Sequence, residues 1–259
     1  MVFNIFEMTI IDSAILGILQ GLTEFLPVSS SGHLVLGQDF LGINQPGNAF
    51  EIVVHLGTLF SVLIFFRTDI ISLLGFSNQK YSNRYILYII TGTFPAVIIG
   101  LVFKDSISLF FDNRIVVGYA LIFTSFILFL SFFKRLNNKN ISFLLAFIIG
   151  CSQAIAIIPG VSRSGITICT AILLGIPSKE AAKFSFMLAI PVISGAGLLS
   201  FLDSSNITEI PILTGLVGFF SSFLIGLIAL KWLLSLLEKG KLYYFGIYCF
   251  LIGIFSIFI

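Results

Sequence analysis

Charge is scarce in this chain. Of its 259 residues only 10% are charged, 14 basic and 12 acidic, and it has two histidines, three cysteines and one tryptophan. Soluble domains carry about 25% charged residues, so this composition excludes a soluble enzyme, a nucleic-acid binder and a disordered chain. Two histidines are too few for a multi-histidine zinc site. The cysteines, Cys151, Cys169 and Cys249, are odd in number, lie in apolar stretches and form no CxxC pair. Neither a disulfide framework nor a thiolate metal site is expected from them. No P-loop or Rossmann glycine pattern occurs. Glu7 and Asp12 precede or open the first apolar run with no basic residue before it, so that run reads as part of the mature protein and not as a cleaved signal.

Apolar residues fill the space that charge leaves. Hydrophobic side chains make up 58% of the chain, 30 of them phenylalanine, and the mean hydropathy is +1.11. A crossing helix needs about 20 apolar residues, so the chain reads as a single all-α, polytopic membrane domain over 1–259. Six stretches are expected to span fully: 49–66, 84–103, 115–133, 182–202, 211–231 and 242–259. Two others, 10–43 and 141–176, each hold an apolar half, a small polar knot and a second short apolar half. The knots are Pro27-Val-Ser-Ser-Ser-Gly-His33 and Pro159-Gly-Val-Ser-Arg-Ser-Gly165. Pro, Gly and Ser break helices by removing donors or offering the backbone other partners. In lipid such backbone survives only when buried in protein or lining a watery cavity, so both stretches are expected to be re-entrant hairpins.

An internal repeat supports this reading. Gly17, Gln20, Val28, Ser29, Ser31 and Gly32 fall on Gly150, Gln153, Val161, Ser162, Ser164 and Gly165 at a constant offset of 133, and Leu41-Gly-Ile43 falls on Leu174-Gly-Ile176. The repeat halves are about 10–133 and 141–259. Three spans separate the two hairpins, an odd number, so the copies enter from opposite faces: an inverted-topology repeat with broken helices meeting near the midplane. Arg67, Lys80, Arg84, Lys134, Arg135, Lys139, Lys179, Lys183, Lys231, Lys239 and Lys241 then share one face, with Lys104 and Arg114 on the other. The positive-inside rule makes the first face cytoplasmic and places both termini outside.

Arg163 is the sharpest chemical signal, because a cation at membrane depth costs about 2.5–3.5 kcal/mol on insertion scales. Ser-Arg-Ser-Gly at a helix break sets a fork-shaped donor beside hydroxyls and backbone N–H groups, which suits phosphate oxygens. Gly165 restarts the helix, whose positive dipole end adds to the site, and Thr167 lies in its first turn. The alternative is an arginine that pairs with Glu24 or Glu51 only to join helices. Glu24 shares a face with Gln20, four residues earlier; it fits a cation ligand, a partner that orients a histidine, a base, or merely a polar contact between helices. His33 follows Ser30 by three residues, an arrangement that activates a nucleophile or else caps a turn. Glu51 and His55, four apart, either line one cavity or bond to each other. The Gly17…Gly21 pair is a GxxxG that lets helices approach closely.

Gln20-Gly-Leu-Thr-Glu24-Phe-Leu-Pro-Val-Ser-Ser-Ser-Gly-His33 and Pro159-Gly-Val-Ser-Arg-Ser-Gly-Ile-Thr167 resemble the two signature motifs of the bacterial undecaprenyl-pyrophosphate phosphatases of the bacitracin-resistance type. The resemblance extends over Phe50-Glu51, Thr93-Phe-Pro95-Ala96 and Phe184-Ser-Phe-Met-Leu-Ala-Ile-Pro191, essentially the whole chain. It implies a membrane enzyme of inverted repeats that hydrolyses the lipid-carrier diphosphate to the monophosphate for cell-wall synthesis. On the matching positions it implies catalytic roles for Glu24, Ser30, His33 and Arg163. Ser29, Ser31, Ser162, Ser164, Gly165 and Thr167 would hold phosphate, with Gln20 (the neutral variant of a Glu or Gln position), Glu24 and Glu51 supporting or holding a divalent cation, Mg or Ca. The implied partner is a polyprenyl diphosphate lipid in the cytoplasmic membrane, with the site opening to the outside. The oligomeric state stays open, a homodimer included. The rival from another class is a lipid-phosphate flippase, since inverted repeats with broken helices also build transporters.

Overall fold

The computed structural model describes residues 8–43, 49–76, 84–103, 110, 113–133, 138–202 and 210–258, and the regular elements among them are all helical. In chain order they are α1 (Ile10–Phe25), α2 (Ser30–Leu41), α3 (Ala49–Phe65), α4 (Arg67–Leu73), α5 (Arg84–Val102), α6 (Arg114–Leu130), α7 (Phe143–Ile155), α8 (Arg163–Leu173), α9 (Ser178–Leu202), α10 (Ile212–Glu238) and α11 (Tyr243–Phe258). Polar residues open several of them by supplying acceptors for the first free N–H groups. Thr9 and Asp12 form a capping box on α1, with Asp12 N 3.2 Å from Thr9 Oγ1 and Thr9 N 2.9 Å from the Asp12 carboxylate. Asn113 and Ser142 cap α6 and α7 in the simpler way.

Four helices, those covering 84–102, 114–133, 178–200 and 212–238, are long and apolar enough to cross a membrane, and α3 with α4 makes a fifth if that bent pair counts as one span. The expected span 49–66 therefore ends in a bend of 73° between α3 and α4. The expected span 242–259 is the 16-residue helix α11, shorter than the other four. The two interrupted stretches are broken helices: α1 and α2 part at residues 26–29, and α7 and α8 at residues 156–162. Their outer ends come together. Lys139 N donates to Gly175 O at 3.1 Å, and Met8 and Ile43 join one buried cluster with Leu16 and Leu34. Lys80, Lys104, Lys134, Arg135 and Glu7 lie outside the described residues.

Helix packing here cannot lean on the hydrophobic effect, because lipid tails are as apolar as the side chains; close approach and shape do the work. α1 lies along α10, α7 along α5, α6 along α11 and α3 along α10. Gly17 and Gly21 let α1 touch α10: a Cβ on either would come within 2.7 Å of Gly218 O or 2.8 Å of Ser222 O. That is the close contact the GxxxG spacing predicts. Gly150, the repeat mate of Gly17, packs α7 on Gly92 of α5, whose Cα a Cβ would approach to 2.8 Å. Inside, Phe25, Phe184, Phe186 and Ile168 belong to the largest buried cluster, with Phe25 edge-on to Phe186 at 5.7 Å. This packing holds α9 against both broken helices.

Candidate functional site

The two breaks meet. Ser164 Oγ donates to Leu26 O at 3.2 Å, and Thr124 Oγ1 of α6 donates to Gly160 O at 3.0 Å while accepting from Ser162 N at 3.0 Å. Each break ends in the same cap. Ser29 Oγ accepts from Gly32 N at 3.3 Å, and Ser162 Oγ accepts from Gly165 N at 3.1 Å. The N-termini of α2 and α8 thereby converge on one cavity of about 290 Å³, whose rim includes Ser29, Ser30, Ser31, Ser162 and Arg163. Two converging helix N-termini make a site for anions, since each carries free N–H groups and the positive end of a dipole.

Glu24 is the hub of the cavity. Its Oε1 accepts from Arg163 Nη2 at 2.5 Å, and its Oε2 accepts from Ser30 Oγ at 2.6 Å and from Gln20 Nε2 at 3.2 Å. His55 Nε2 stands 3.7 Å from the same oxygen. Ser30 and Arg163 occupy the first positions of α2 and α8 and are 133 apart, so equivalent points of the two breaks grip one carboxylate. Glu24 and Arg163 are 6% and 14% exposed at the side chain. A pair taken so far out of water stabilises a fold poorly. The Arg163 fork also reaches Ser185 O, 3.5 Å from Nη1. The helix-joining partner foreseen for Arg163 is thus Glu24, and the pair sits on the cavity wall.

The cavity is lined by polar and apolar groups. Glu51 and His55 both line it and also bond to each other, His55 Nδ1 lying 2.7 Å from the Glu51 carbonyl, so both of their readings hold. Apolar side chains line it as well: Ile52 and Leu56 of α3, Val192 and Ile193 of α9, and Ile157 of the second break. An amphiphile with an anionic head fits such a lining.

Several foreseen residues lie elsewhere. His33 does not face Ser30. Its Nδ1 is 2.8 Å from Ser29 O and its Nε2 is 2.8 Å from Tyr248 Oη, so both ring nitrogens are engaged away from the cavity. The i, i+3 spacing set the two residues near each other, but the Ser30 hydroxyl turns to Glu24 and the imidazole turns to α11. Ser164, Gly165 and Thr167 tie the second break instead of lining the cavity. Ser164 holds Leu26 O, Gly165 N holds the Ser162 cap, and Thr167 Oγ1 lies 2.7 Å from Arg163 O and 2.6 Å from Ser185 Oγ. Gln20 lies behind Glu24, fully buried. Two polar residues at the site carried little or no signal in the sequence. Gln153, which lines the cavity, was signalled only as the mate of Gln20. Ser185, behind Arg163, had no signal beyond its place in Phe184–Pro191.

The cavity offers carboxylate oxygens of the kind a hard divalent cation takes. Glu24 and Glu51 both line the cavity, and carboxylates suit Mg and Ca; Gln20, whose buried Oε1 has no hydrogen-bond partner, lies behind Glu24 and outside the lining. Among the described residues no three His, Cys, Asp or Glu side chains cluster as a metal site would.

Residues 13–255 match the family described as "Bacitracin resistance protein BacA". The chain is similar to proteins named "Undecaprenyl-diphosphatase": that of Christiangramia forsetii is 43% identical, over 96% of this chain and 98% of the relative. That of Carboxydothermus hydrogenoformans is 43% identical over 93% of each chain, and that of Bacteroides fragilis 41% identical over 95% and 96%.

Proposed function

The chain belongs to the family of the bacitracin resistance protein BacA, and from that premise we propose that its cavity removes the terminal phosphate of undecaprenyl diphosphate. The observation that carries the reading is the shared carboxylate: Ser30 and Arg163, opening two converging half-helices, both bond to Glu24. The flippase alternative finds no support in the relatives' names.

The diphosphate head enters between the N-termini of α2 and α8, and the prenyl tail lies along Ile52, Leu56, Val192 and Ile193 toward lipid. Arg163, the helix N-termini and the hydroxyls of Ser29, Ser31 and Ser162 offset the charge that spreads over the phosphoryl oxygens as the terminal group transfers. Ser30 Oγ attacks the terminal phosphorus and passes its proton to Glu24, which already accepts its hydrogen bond at 2.6 Å. The bridging P–O bond breaks and undecaprenyl phosphate leaves. The leaving phosphate takes that proton from Glu24, which then deprotonates a water; the water attacks the phosphoserine, the Ser30 O–P bond breaks, and the proton returns to Ser30 Oγ as inorganic phosphate is released. A divalent cation held by the cavity carboxylates of Glu24 and Glu51 would add positive charge beside the diphosphate. His33 acts from outside this set.

The finer topology belongs to the same reading: six spans, two re-entrant hairpins and an inverted repeat, in the cytoplasmic membrane with both termini and the cavity mouth outside. The helix pairs support the repeat, since at an offset of 133 α1 corresponds to α7 and α10 to α5, and each packs on its counterpart's equivalent. Ion pairs support the grouping of these residues on shared faces. Arg114 pairs with Asp39 at 3.3 Å on the face assigned outside, and Lys179 with Glu238 (3.6 Å) and Lys183 with Asp69 (3.5 Å) on the face assigned inside.

Two measurements test this. Detergent-solubilised protein given undecaprenyl diphosphate is expected to release inorganic phosphate; a flippase needs two compartments and releases none, so absence of phosphate overturns the activity. For topology, cysteines replacing exposed Pro211 and exposed Asn140, in a Cys151→Ser background, are expected to react with an impermeant reagent from outside at 211 and only after permeabilisation at 140. The reverse pattern overturns the orientation, and labelling of both from one side overturns the span count.

A further inference from the structure

Tyr248 has no motif around it and lies on the last helix, yet it makes a close polar contact to the first turn of α2, just past the first break. Its hydroxyl is 2.8 Å from His33 Nε2, and its ring stacks on the imidazole with centroids 5.6 Å apart and 9° between planes. The other ring nitrogen, Nδ1, is 2.8 Å from Ser29 O. A carbonyl oxygen only accepts, so Nδ1 carries the proton. In the neutral ring Nε2 is then the acceptor, and the tyrosine hydroxyl donates to it. The chemistry of one carbonyl thus sets the direction of both bonds.

What His33 grips is a strained residue. Ser29 has φ 70 and ψ 98, and it is the one non-glycine residue with positive φ among the described residues. A side chain with a Cβ keeps such a backbone only where its surroundings over-determine it. His33 supplies that determination twice, through Nδ1 and through its own N–H, 3.2 Å from Ser29 O. The repeat offers an internal comparison. Ser162, the mate of Ser29, has an ordinary φ of −73, and the mate of His33 is Ile166, which has no side-chain donor to offer. The residue after Ser29 is Ser30, whose Oγ is aimed at Glu24, so rotation at Ser29 would swing that hydroxyl away. A second contact from α11 reaches the same break, Cys249 Sγ at 3.6 Å from Pro27 O.

We propose that Tyr248 is a positioning residue of the phosphatase site: its hydroxyl holds His33 in the Nδ1–H form, His33 holds the carbonyl of Ser29, and that grip keeps Ser30 directed at Glu24. The inference rests on the preceding reading of Ser30 and Glu24 as the reacting pair.

Tyr248→Phe keeps the stacked ring and removes only the hydroxyl. With undecaprenyl diphosphate, kcat is expected to fall about tenfold while KM stays within about twofold, the size expected for one hydrogen bond lost in orienting the nucleophile. In a His33→Asn protein the same change is expected to have no further effect, since the path from Tyr248 to Ser30 is already cut. The chain has two histidines, so nitrogen NMR of 15N-histidine-labelled protein reads the contact directly, with His33 assigned by its loss in His33→Asn. An unprotonated His33 Nε2 whose resonance moves in Tyr248→Phe supports the inference whether or not turnover is measured. A protonated Nε2 in the parent protein, an unchanged kcat, a raised KM with kcat intact, or additive losses in the double variant overturn it. A parent protein that releases no phosphate overturns the activity and leaves the NMR result to judge the contact.

Discussion

Ser30→Ala is expected to abolish phosphate release, a loss of at least about a thousandfold in kcat, because no other group at that place can form the phosphoenzyme. The geometry makes the test a clean one. Ser30 is only partly buried, and its Oγ has one partner, Glu24 Oε2 at 2.6 Å. Removing the hydroxyl leaves that carboxylate oxygen with Gln20 Nε2 at 3.2 Å and its neighbour with Arg163. The folded protein is therefore expected to keep its thermal midpoint while turnover disappears. Incubation of the parent protein with diphosphate labelled in the terminal phosphate is expected to leave label on Ser30 on rapid quenching. A variant that keeps a large share of phosphate release would remove the serine from the mechanism and make water, activated by Glu24, the nucleophile.

Arg163→Lys is expected to cost about a hundredfold to a thousandfold in kcat with insertion and folding retained, the loss typical of one preorganised donor removed from a transition state. Lysine keeps the charge but has neither the plane nor the fork. Arg163 uses two nitrogens in two directions, Nη2 on Glu24 and Nη1 on Ser185 O, and a single ammonium cannot hold both and still present a donor to a phosphoryl oxygen. Arg163→Gln is expected to do a second kind of damage. It leaves the buried Glu24 carboxylate without its cation, which destabilises a fold by about 3–5 kcal/mol, so a lowered thermal midpoint should separate it from the lysine variant. If lysine supports nearly full turnover, Arg163 is a diffuse counter-charge and the bidentate reading is wrong.

Composition and pattern alone carried the class of molecule, the two interrupted stretches and most of the helices, and the family resemblance. These properties are local or statistical: an apolar run of sufficient length is helical in lipid because nothing else satisfies its backbone there. A Pro-Gly-Ser cluster interrupts such a helix wherever it folds. The polar residues of the two breaks could likewise be picked out in the sequence, since a charge or a row of hydroxyls at membrane depth is costly without a purpose. Which way each of them faces was beyond that reasoning. Spacing placed Ser30 and His33 within one turn of each other, but the backbone of Ser29 and the hydroxyl of Tyr248, 215 residues away from His33, turn the imidazole out of the cavity. Ser164 and Thr167 have the same chemistry as Ser162, yet Leu26 O and Ser185 Oγ claim them. His55 and Glu51 read equally well as a cavity wall or a mutual contact, and the packing of α3 beside α1 and α9 made them both. A side chain at a helix break chooses among partners brought by other helices, and no period of 3.6 residues encodes which helix arrives; that choice was made by the tertiary packing.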